Sequence, residues 1–235
     1  MTIDWSEVGA RLRRLATEPM PARPVFGTGS HRFGLEPPLS AAEVAAVEHQ
    51  FGVALPEEYR DFLLQVGAGG AGPAYGVFAL RHGRAGWTWA DSEAAITRLD
   101  QLHRPFAVQP APPPGYDDLL ASEPAEDAFA AHDLYYDAYQ KWANTCARIL
   151  REDPTRDIGA ACLSTVGCAQ YTWLVVSGPA AGQMWQDARC DDFEMAPETN
   201  DAGDVLTFGT WYLDWLAKAE AVHLANPPNR HEDRP

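Results

Sequence analysis

Three glycines give the sequence its most recognisable chemical motif. Gly67, Gly69 and Gly72 satisfy G-x-G-x-x-G, and Asp91 follows about twenty residues later, as in a dinucleotide-binding fingerprint. These glycines, however, follow a predicted helix and precede a predicted strand. A phosphate site needs the opposite order, a strand and a turn leading into a helix N-terminus. The pattern therefore favours a flexible turn over a nucleotide site, and we predict no cofactor.

Metal chemistry is disfavoured by the cysteine and histidine spacing. Cys162 and Cys168 are six positions apart, whereas zinc sites favour pairs two to four residues apart with a second pair or histidines at matching spacing. No histidine lies between His132 and His223. We expect no metal and predict that the cysteines are small core residues.

Nucleophilic catalysis has no convincing set of residues. The sequence contains no G-x-S-x-G elbow. Ser30 and His31 are neighbours in the chain, but the members of a catalytic triad come together from separate segments. His132 lies on an apolar helical face and is predicted to be a packed core histidine. The sequence therefore predicts a protein that is not an enzyme.

Charge excludes several other classes of protein. The chain of 235 residues has 33 acidic and 18 basic side chains, a net charge of −15 and a pI near 4.7. Binding to nucleic acid needs a basic face, and anionic membranes repel such a protein. A basic protein partner, such as a nuclease, suits the charge. The alternative is that the charge serves solubility alone.

Part of this charge is concentrated in one predicted loop before the last helix. The acidic residues proposed to bind a partner are Asp187, Asp191, Asp192 and Glu194, with Glu198, Asp201 and Asp204 beyond them. In the sequence only Arg189 counters them. They form either a solvated acidic loop or a landing surface for a basic partner, which would mainly raise the association rate.

The first half of the chain is predicted to be mostly helical. A helix over about 4–16 is followed by a Pro/Gly-rich loop over 19–38, which could pack through Val25, Phe26 and Phe33. Ser40 and Glu43 form a capping box, Gly52 ends that helix, and Pro56 opens a second one that ends at Gly67. Residues 75–80 are predicted to be a strand.

The second half alternates between helices and strands. We predict a short strand at 87–89, a helix over 92–102 and a semi-rigid proline-rich connector over 105–125. A long helix over 126–151 could form a coiled-coil dimer seam, but Tyr, His and Ala at seam positions favour intramolecular packing and a monomer. Three strands (160–165, 171–177 and 183–186) and a helix over 207–224 follow.

We expect Trp185, Trp211 and Trp215 to be buried, the strand at 173–176 to be central and covered on both faces, and the tail over 226–235 to be frayed.

Several of these segments resemble the SUKH superfamily of SMI/KNR type. The resemblance starts with an acidic helix that runs into Phe51-Gly52, and continues in Leu55-Pro56-Glu57-Glu58-Tyr59, Phe62-Leu63, Gly69-Gly70 and Tyr75-Gly76-Val77-Phe78. Later residues extend it: Gly167-Cys168, Leu174-Val175-Val176, Gly178, Gly182, Trp185 and Asp187, then the last helix. It covers most of the chain from about 39 to 217.

The resemblance implies a single α+β domain with a mixed, largely antiparallel sheet flanked by helices. We expect residues 1–38 to form an N-terminal helix and loop, 39–225 the SUKH-like domain and 226–235 a tail. The resemblance also implies a non-catalytic interaction protein, either a bacterial immunity protein that neutralises a polymorphic toxin by occluding it or an intracellular scaffold or regulator. The N-terminus lacks an export signal and no apolar run approaches the ~18 residues of a membrane span, so we expect a cytoplasmic protein with reduced cysteines.

Overall fold

A computed structural model of the chain describes residues 3–90, 97–153, 155–191 and 194–225. The helices in these residues are α1 (Trp5–Thr17), α2 (Thr28–His31), α3 (Ala41–Phe51), α4 (Glu57–Gln65), α5 (Tyr116–Ala121), α6 (His132–Glu152) and α7 (Phe208–Ala225). The strands are β1 (Leu80–Gly83), β2 (Gly86–Trp89), β3 (Ala160–Gly167), β4 (Gln170–Val175), β5 (Met184–Asp187) and β6 (Ala196–Pro197).

The predicted caps around α3 are present. Ser40 Oγ accepts a hydrogen bond from the amide of Glu43 at 3.3 Å, and the Glu43 carboxylate accepts one from the amide of Ser40 at 2.7 Å. Gly52 ends the helix in the left-handed conformation, with φ of 68°. Pro56 is the N-cap of α4 rather than its first residue, and that helix ends at Gln65, before Gly67.

The predicted strand over 75–80 is wrong except at its last residue. Gly76 has φ of 101°, which interrupts an extended backbone, and Val77 forms only an isolated bridge to Gly70. The strand β1 begins at Leu80 and pairs with β2, as the alternating residues 87–89 predicted.

A second, four-stranded sheet has the order β3-β4-β5-β6, and each neighbouring pair is antiparallel. β4 is internal to this sheet, as its continuous apolar run predicted. Leu174 and Val176 pack into a large core cluster, while Trp173 and Val175 pack into a smaller one with Trp185. Both faces of β4 are therefore covered, and the expected α+β class is confirmed with two antiparallel sheets.

The large core joins both ends of the described chain. Trp5, on α1, lies 5.8 Å from the ring of Phe62 on α4 and 5.9 Å from that of Phe208 on α7. Trp185, Trp211 and Trp215 are 4%, 7% and 5% exposed, which confirms their predicted burial. In the loop before α3, Phe33 is buried but Phe26 is exposed.

Four other expectations need correction. The connector over 105–125 contains the short helix α5, and the long helix α6 starts at His132 rather than at residue 126. His132 itself is exposed rather than packed in the core. Of the predicted helix over 92–102, residues 92–96 lie outside the described residues, and a single 3-10 turn, Leu99–Gln101, occupies the remainder.

The glycine-rich segment is closely packed between two other parts of the backbone. The carbonyl of Gly69 accepts a hydrogen bond from the amide of Glu36 at 3.0 Å. A Cβ added at Gly69 would lie 2.5 Å from Cα of Ala79. These glycines therefore allow chain segments to approach each other, and the next element after them in the described part of the chain is the strand β1.

Candidate partner-binding site

Asp187, the first residue of the predicted acidic surface, lies at the end of β5 in a buried ion pair. Its carboxylate accepts hydrogen bonds from Nε and Nη2 of Arg189 at 2.9 and 2.7 Å. Asp187 is 5% exposed and Arg189 is 8% exposed. Burial alone would lower the pKa of Arg189, but the hydrogen bond and the charge of Asp187 outweigh it and the pKa is raised. This pair holds the turn after β5 in place.

The pair is also tied to the end of α6. Nη1 of Arg189 donates a hydrogen bond to the carbonyl oxygen of Leu150 at 3.3 Å. Asp187 and Arg189 line a cavity of about 320 Å³ together with Arg98, Asp157, Trp173 and others. Arg98 and Asp157 form a further ion pair at 3.0 Å there. Burial raises the pKa of Asp157, although Arg98 opposes the shift.

A second buried arginine reaches the cluster from a distant part of the sequence. Arg156 contacts Asp153 at 2.9 Å and Glu194 at 3.0 Å, and its side chain is 6% exposed. The expectation that only Arg189 counters the acidic cluster is therefore wrong, because Glu194 has a partner 38 residues away. Glu194 nevertheless remains 49% exposed at its side chain.

Asp191 is, like Glu194, one of the exposed acidic residues of the cluster. It ends a 3-10 turn, Arg189–Asp191, and is exposed. Its carboxylate accepts a hydrogen bond from the side-chain amide of Gln170, the first residue of β4. Asp192, the remaining residue of the predicted set, lies outside the described residues.

Asp191 and Glu194 face a common cavity of about 440 Å³. Its other lining residues are Gln170, Gln186, Ala188 and Ala196. With Asp153, the second partner of Arg156, the described cluster contains four carboxylates and two guanidinium groups, a net charge of −2. Both guanidinium groups and the carboxylates of Asp153 and Asp187 are buried, so the charge that faces solvent comes from Asp191 and Glu194.

Sequence reasoning missed the two glutamines and Arg156. Gln186 pairs with Thr172 in the antiparallel register between β4 and β5. Alternation along β5 could have indicated it, since Trp185 points into the smaller core and its neighbour must face the other way. No local pattern indicates Arg156, because its partner Glu194 is remote in the sequence.

The residues considered for chemistry do not assemble into a reactive set. Ser30 Oγ donates to the carbonyl of Gly27, while His31 Nδ1 accepts from the amide of Phe33 at 3.1 Å, so Ser30 and His31 are not hydrogen-bonded as a pair. Burial lowers the pKa of His31 to about 4. In the described ranges, no three His, Cys, Asp or Glu side chains are grouped so that they could hold a metal ion. Cys146, Cys168 and Cys190 are free thiols.

This geometry describes an α+β protein whose candidate site is a polar, acidic cavity at a sheet edge. The sequence model of the SMI1 / KNR4 family (SUKH-1) matches residues 38–142, slightly less than half of the chain. The match confirms the predicted resemblance of this segment to the SUKH superfamily. The extension of the resemblance to residues 167–217 lies outside the match and stays a prediction. No curated protein and no solved structure matches the chain.

The acidic cavity also lies outside the matched segment, since its lining residues all follow residue 142. The family match fits a non-catalytic immunity or regulatory role. Proteins of this family typically bind partner proteins. None of the helices in the described part of the chain is long and apolar enough to cross a bilayer.

Proposed function

We propose that this chain is a non-catalytic protein-binding domain that acts as a cytoplasmic immunity protein and occludes a basic toxin domain. The observation that carries the proposal is the cavity between Asp191 and Glu194, whose exposed carboxylates belong to a chain with a net charge of −15. The SUKH match and the thiols of Cys146, Cys168 and Cys190 support it. The proposed partner-binding residues are Asp191 and Glu194, with Asp192, which follows Asp191 in the sequence, and with Asp187, which holds the turn through Arg189.

The rigidity of this surface favours binding. Two buried arginines hold carboxylate side chains in place, since Arg189 pairs with Asp187 at the start of the turn and Arg156 pairs with Glu194. Side chains held in place lose less conformational entropy when a partner binds. A toxin's cationic face, such as the substrate channel of a nuclease, would then meet a fixed negative surface.

The proposal predicts association that depends strongly on salt. Exposed charges attract over a Debye length of roughly 30 Å at 0.01 M salt but only ~8 Å at 0.15 M, so the association rate with the partner should fall before the dissociation rate rises. Stopped-flow measurements over a salt series, with a partner captured from the native host, test this. An association rate that does not change with salt would indicate that the net charge serves solubility alone.

A matched pair of variants locates the surface. Asp191→Asn should lower the association rate several-fold at low salt, whereas Asp137→Asn should not. Both positions are exposed and both variants change the net charge equally. Asp137 lies on α6 roughly 20 Å along the helix from Leu150, the residue that contacts Arg189. Equal effects of the two variants would show that only net charge matters.

A growth assay separates immunity from the scaffold or regulatory role of the SMI/KNR type. The captured partner is expressed with and without this chain in a heterologous host. An immunity protein should restore growth that the partner alone abolishes, and Asp191→Asn should weaken the rescue. A partner that is harmless on its own would favour the scaffold role.

A further inference from the structure

A second cavity lies beside the acidic site and carries a different chemistry. Its volume is about 260 Å³, and it lies between the segment after β6 and the side of α7 that carries Trp211, Asp214, Trp215 and Lys218. The residues that line it are Pro73, Glu198, Thr199, Leu206, Trp211, Asp214, Trp215 and Lys218. Its volume falls below the roughly 300–1,000 Å³ of small-molecule sites, which suits one inserted side chain.

Glu198 is the residue in this cavity that most needs a partner. It is partly buried, and its carboxylate has no hydrogen bond or ion pair among the described residues. Its backbone is fixed on both sides, because its amide donates to the carbonyl of Met184 and its carbonyl accepts from the amide of Leu206, each at 2.8 Å. Burial raises the pKa of Glu198 with no opposing interaction. A bound cation would stabilise a half-buried carboxylate that is only partly hydrated and has no partner in the described chain.

The other lining residues favour a cation as well. Trp211 and Trp215 are one helical turn apart on α7, and tryptophan is the aromatic side chain that attracts cations most strongly. Asp214 adds a second carboxylate, which Lys218 partly neutralises at 3.2 Å. Both of these side chains are more than half exposed, so their pair is weak. An anionic occupant would be repelled by the two carboxylates.

We propose that this cavity binds the guanidinium group of an arginine side chain from the protein partner, with Glu198 as the ion-pair acceptor and the tryptophans packing against it. Arginine suits the site because its planar group can bond a carboxylate with two N–H donors and stack on an aromatic ring. The inference rests on the proposed function and names the chemistry of one partner residue.

The two cavities lie along the same stretch of chain. Ala196 lines the acidic cavity and Glu198 lines the aromatic one. Two residues of a strand span about 7 Å, so a single basic segment of the partner could reach both. The acidic surface would then attract this segment, and the aromatic cavity would retain one of its arginines.

The test uses a small probe and needs no identified partner. N-acetyl-arginine methylamide is titrated into the ¹⁵N-labelled full chain at constant ionic strength, and the indole N–H signals of Trp211 and Trp215 are followed. Trp→Phe variants assign these signals. We expect a saturable shift with the arginine probe and none with its neutral isostere, N-acetyl-citrulline methylamide. Equal shifts from both probes, or no shift of either indole, would overturn the proposal.

Two variants test the role of Glu198. Glu198→Gln should weaken binding of the arginine probe about tenfold or more, because a charged hydrogen bond is lost. Asp201→Asn, which removes an exposed charge from the same loop, should leave it within about twofold. Unchanged binding by Glu198→Gln would overturn the assignment. Far-UV circular dichroism and the melting temperature show that each variant is folded.

The outcomes distinguish this inference from the proposed function. If Asp191→Asn slows association with the captured partner while Glu198→Gln changes neither the partner's dissociation rate nor binding of the arginine probe, partner binding stands and the arginine site is wrong. In the opposite case, the arginine probe binds through Glu198 while association with the partner shows no salt dependence. That result would support the arginine site at Glu198 and contradict partner binding at the acidic surface. A lysine probe that binds more tightly than the arginine probe would overturn the choice of arginine.

Discussion

Arg156 contacts two carboxylates with very different surroundings. Its Nε contacts Asp153, whose side chain is 6% exposed, and its Nη1 contacts Glu194, whose side chain is 49% exposed. Burial would raise the pKa of Asp153, but hydrogen bonds from Thr155 and Arg156 outweigh this and lower it. Asp153 is therefore held as a buried anion that depends on the arginine.

Replacing Arg156 by alanine should destabilise the protein by about 3–5 kcal/mol, since it leaves a buried carboxylate without its cation. Arg148→Ala is the matched control, because Arg148 pairs with Glu152 on the exposed side of α6. The control should cost only about 0.3–0.5 kcal/mol. Urea unfolding measures both values, and similar losses for the two variants would contradict a structural role for the buried pair.

A different ion pair joins the first helix to the last. Arg11 on α1 donates from Nε and Nη2 to the two carboxylate oxygens of Glu220 on α7, at 2.9 and 2.6 Å. The hydrogen bond from Arg11 is the main reason that the pKa of Glu220 is lowered, and burial opposes it. Arg14 adds a weaker contact at 3.4 Å. Glu18 and His223 lie beside this pair in the same surface cavity.

The direction of this shift fixes its effect on stability. A carboxyl group whose pKa is lower in the folded protein stabilises the fold above its ordinary value, here 4.5, and loses that contribution as pH falls through the lowered pKa. Glu220→Gln should therefore cost about 1–2 kcal/mol at pH 7 and progressively less below pH ~4.5.

Urea unfolding from pH 7 to pH 3 tests this prediction for the helix pair. Glu18→Gln provides the control, because Glu18 is exposed at the end of α1 and its carboxylate accepts no hydrogen bond from the described residues. This control variant should change the free energy of unfolding only slightly at every pH. A cost of Glu220→Gln that stays constant over this range would argue against the ion pair as its source.

At the scale of the whole molecule, α1 is integrated into the large core. Trp5 is 2% exposed, and its ring lies within about 6 Å of rings on α4 and α7. Residues 1–38 therefore do not form an independent unit in packing terms, although a boundary near residue 38 remains a prediction of the sequence.

Trp5→Ala should destabilise the whole protein by about 3–5 kcal/mol, because it opens a cavity among aromatic side chains. Phe26→Ala is the control, since Phe26 is 57% exposed and its ring contacts only Tyr75 among the described rings. That change should stay within about 0.5 kcal/mol. A single unfolding transition that shifts in the first variant alone would show that α1 and the remaining core unfold together.

The sequence by itself determined the features that depend on neighbouring residues. The Ser40–Glu43 capping box and the turn at Gly52 involve groups at most a few positions apart, and their geometry follows from residue type. The continuous apolar run at 173–176 identified the internal strand, because only a strand covered on both faces needs apolar side chains at successive positions. Errors of one or two residues at helix ends reflect caps that compete locally.

Only the tertiary structure decided what each acidic residue can do. Four acidic residues look alike in the sequence but differ in the structure. Asp187 is buried against Arg189, and Asp191 is exposed. Glu194 pairs with Arg156, and Glu198 lies without an ion pair beside two tryptophans. A carboxylate's pairing depends on which cation and which apolar surface the fold brings close. Those neighbours come from remote segments, and no pattern within the acidic loop itself specifies them.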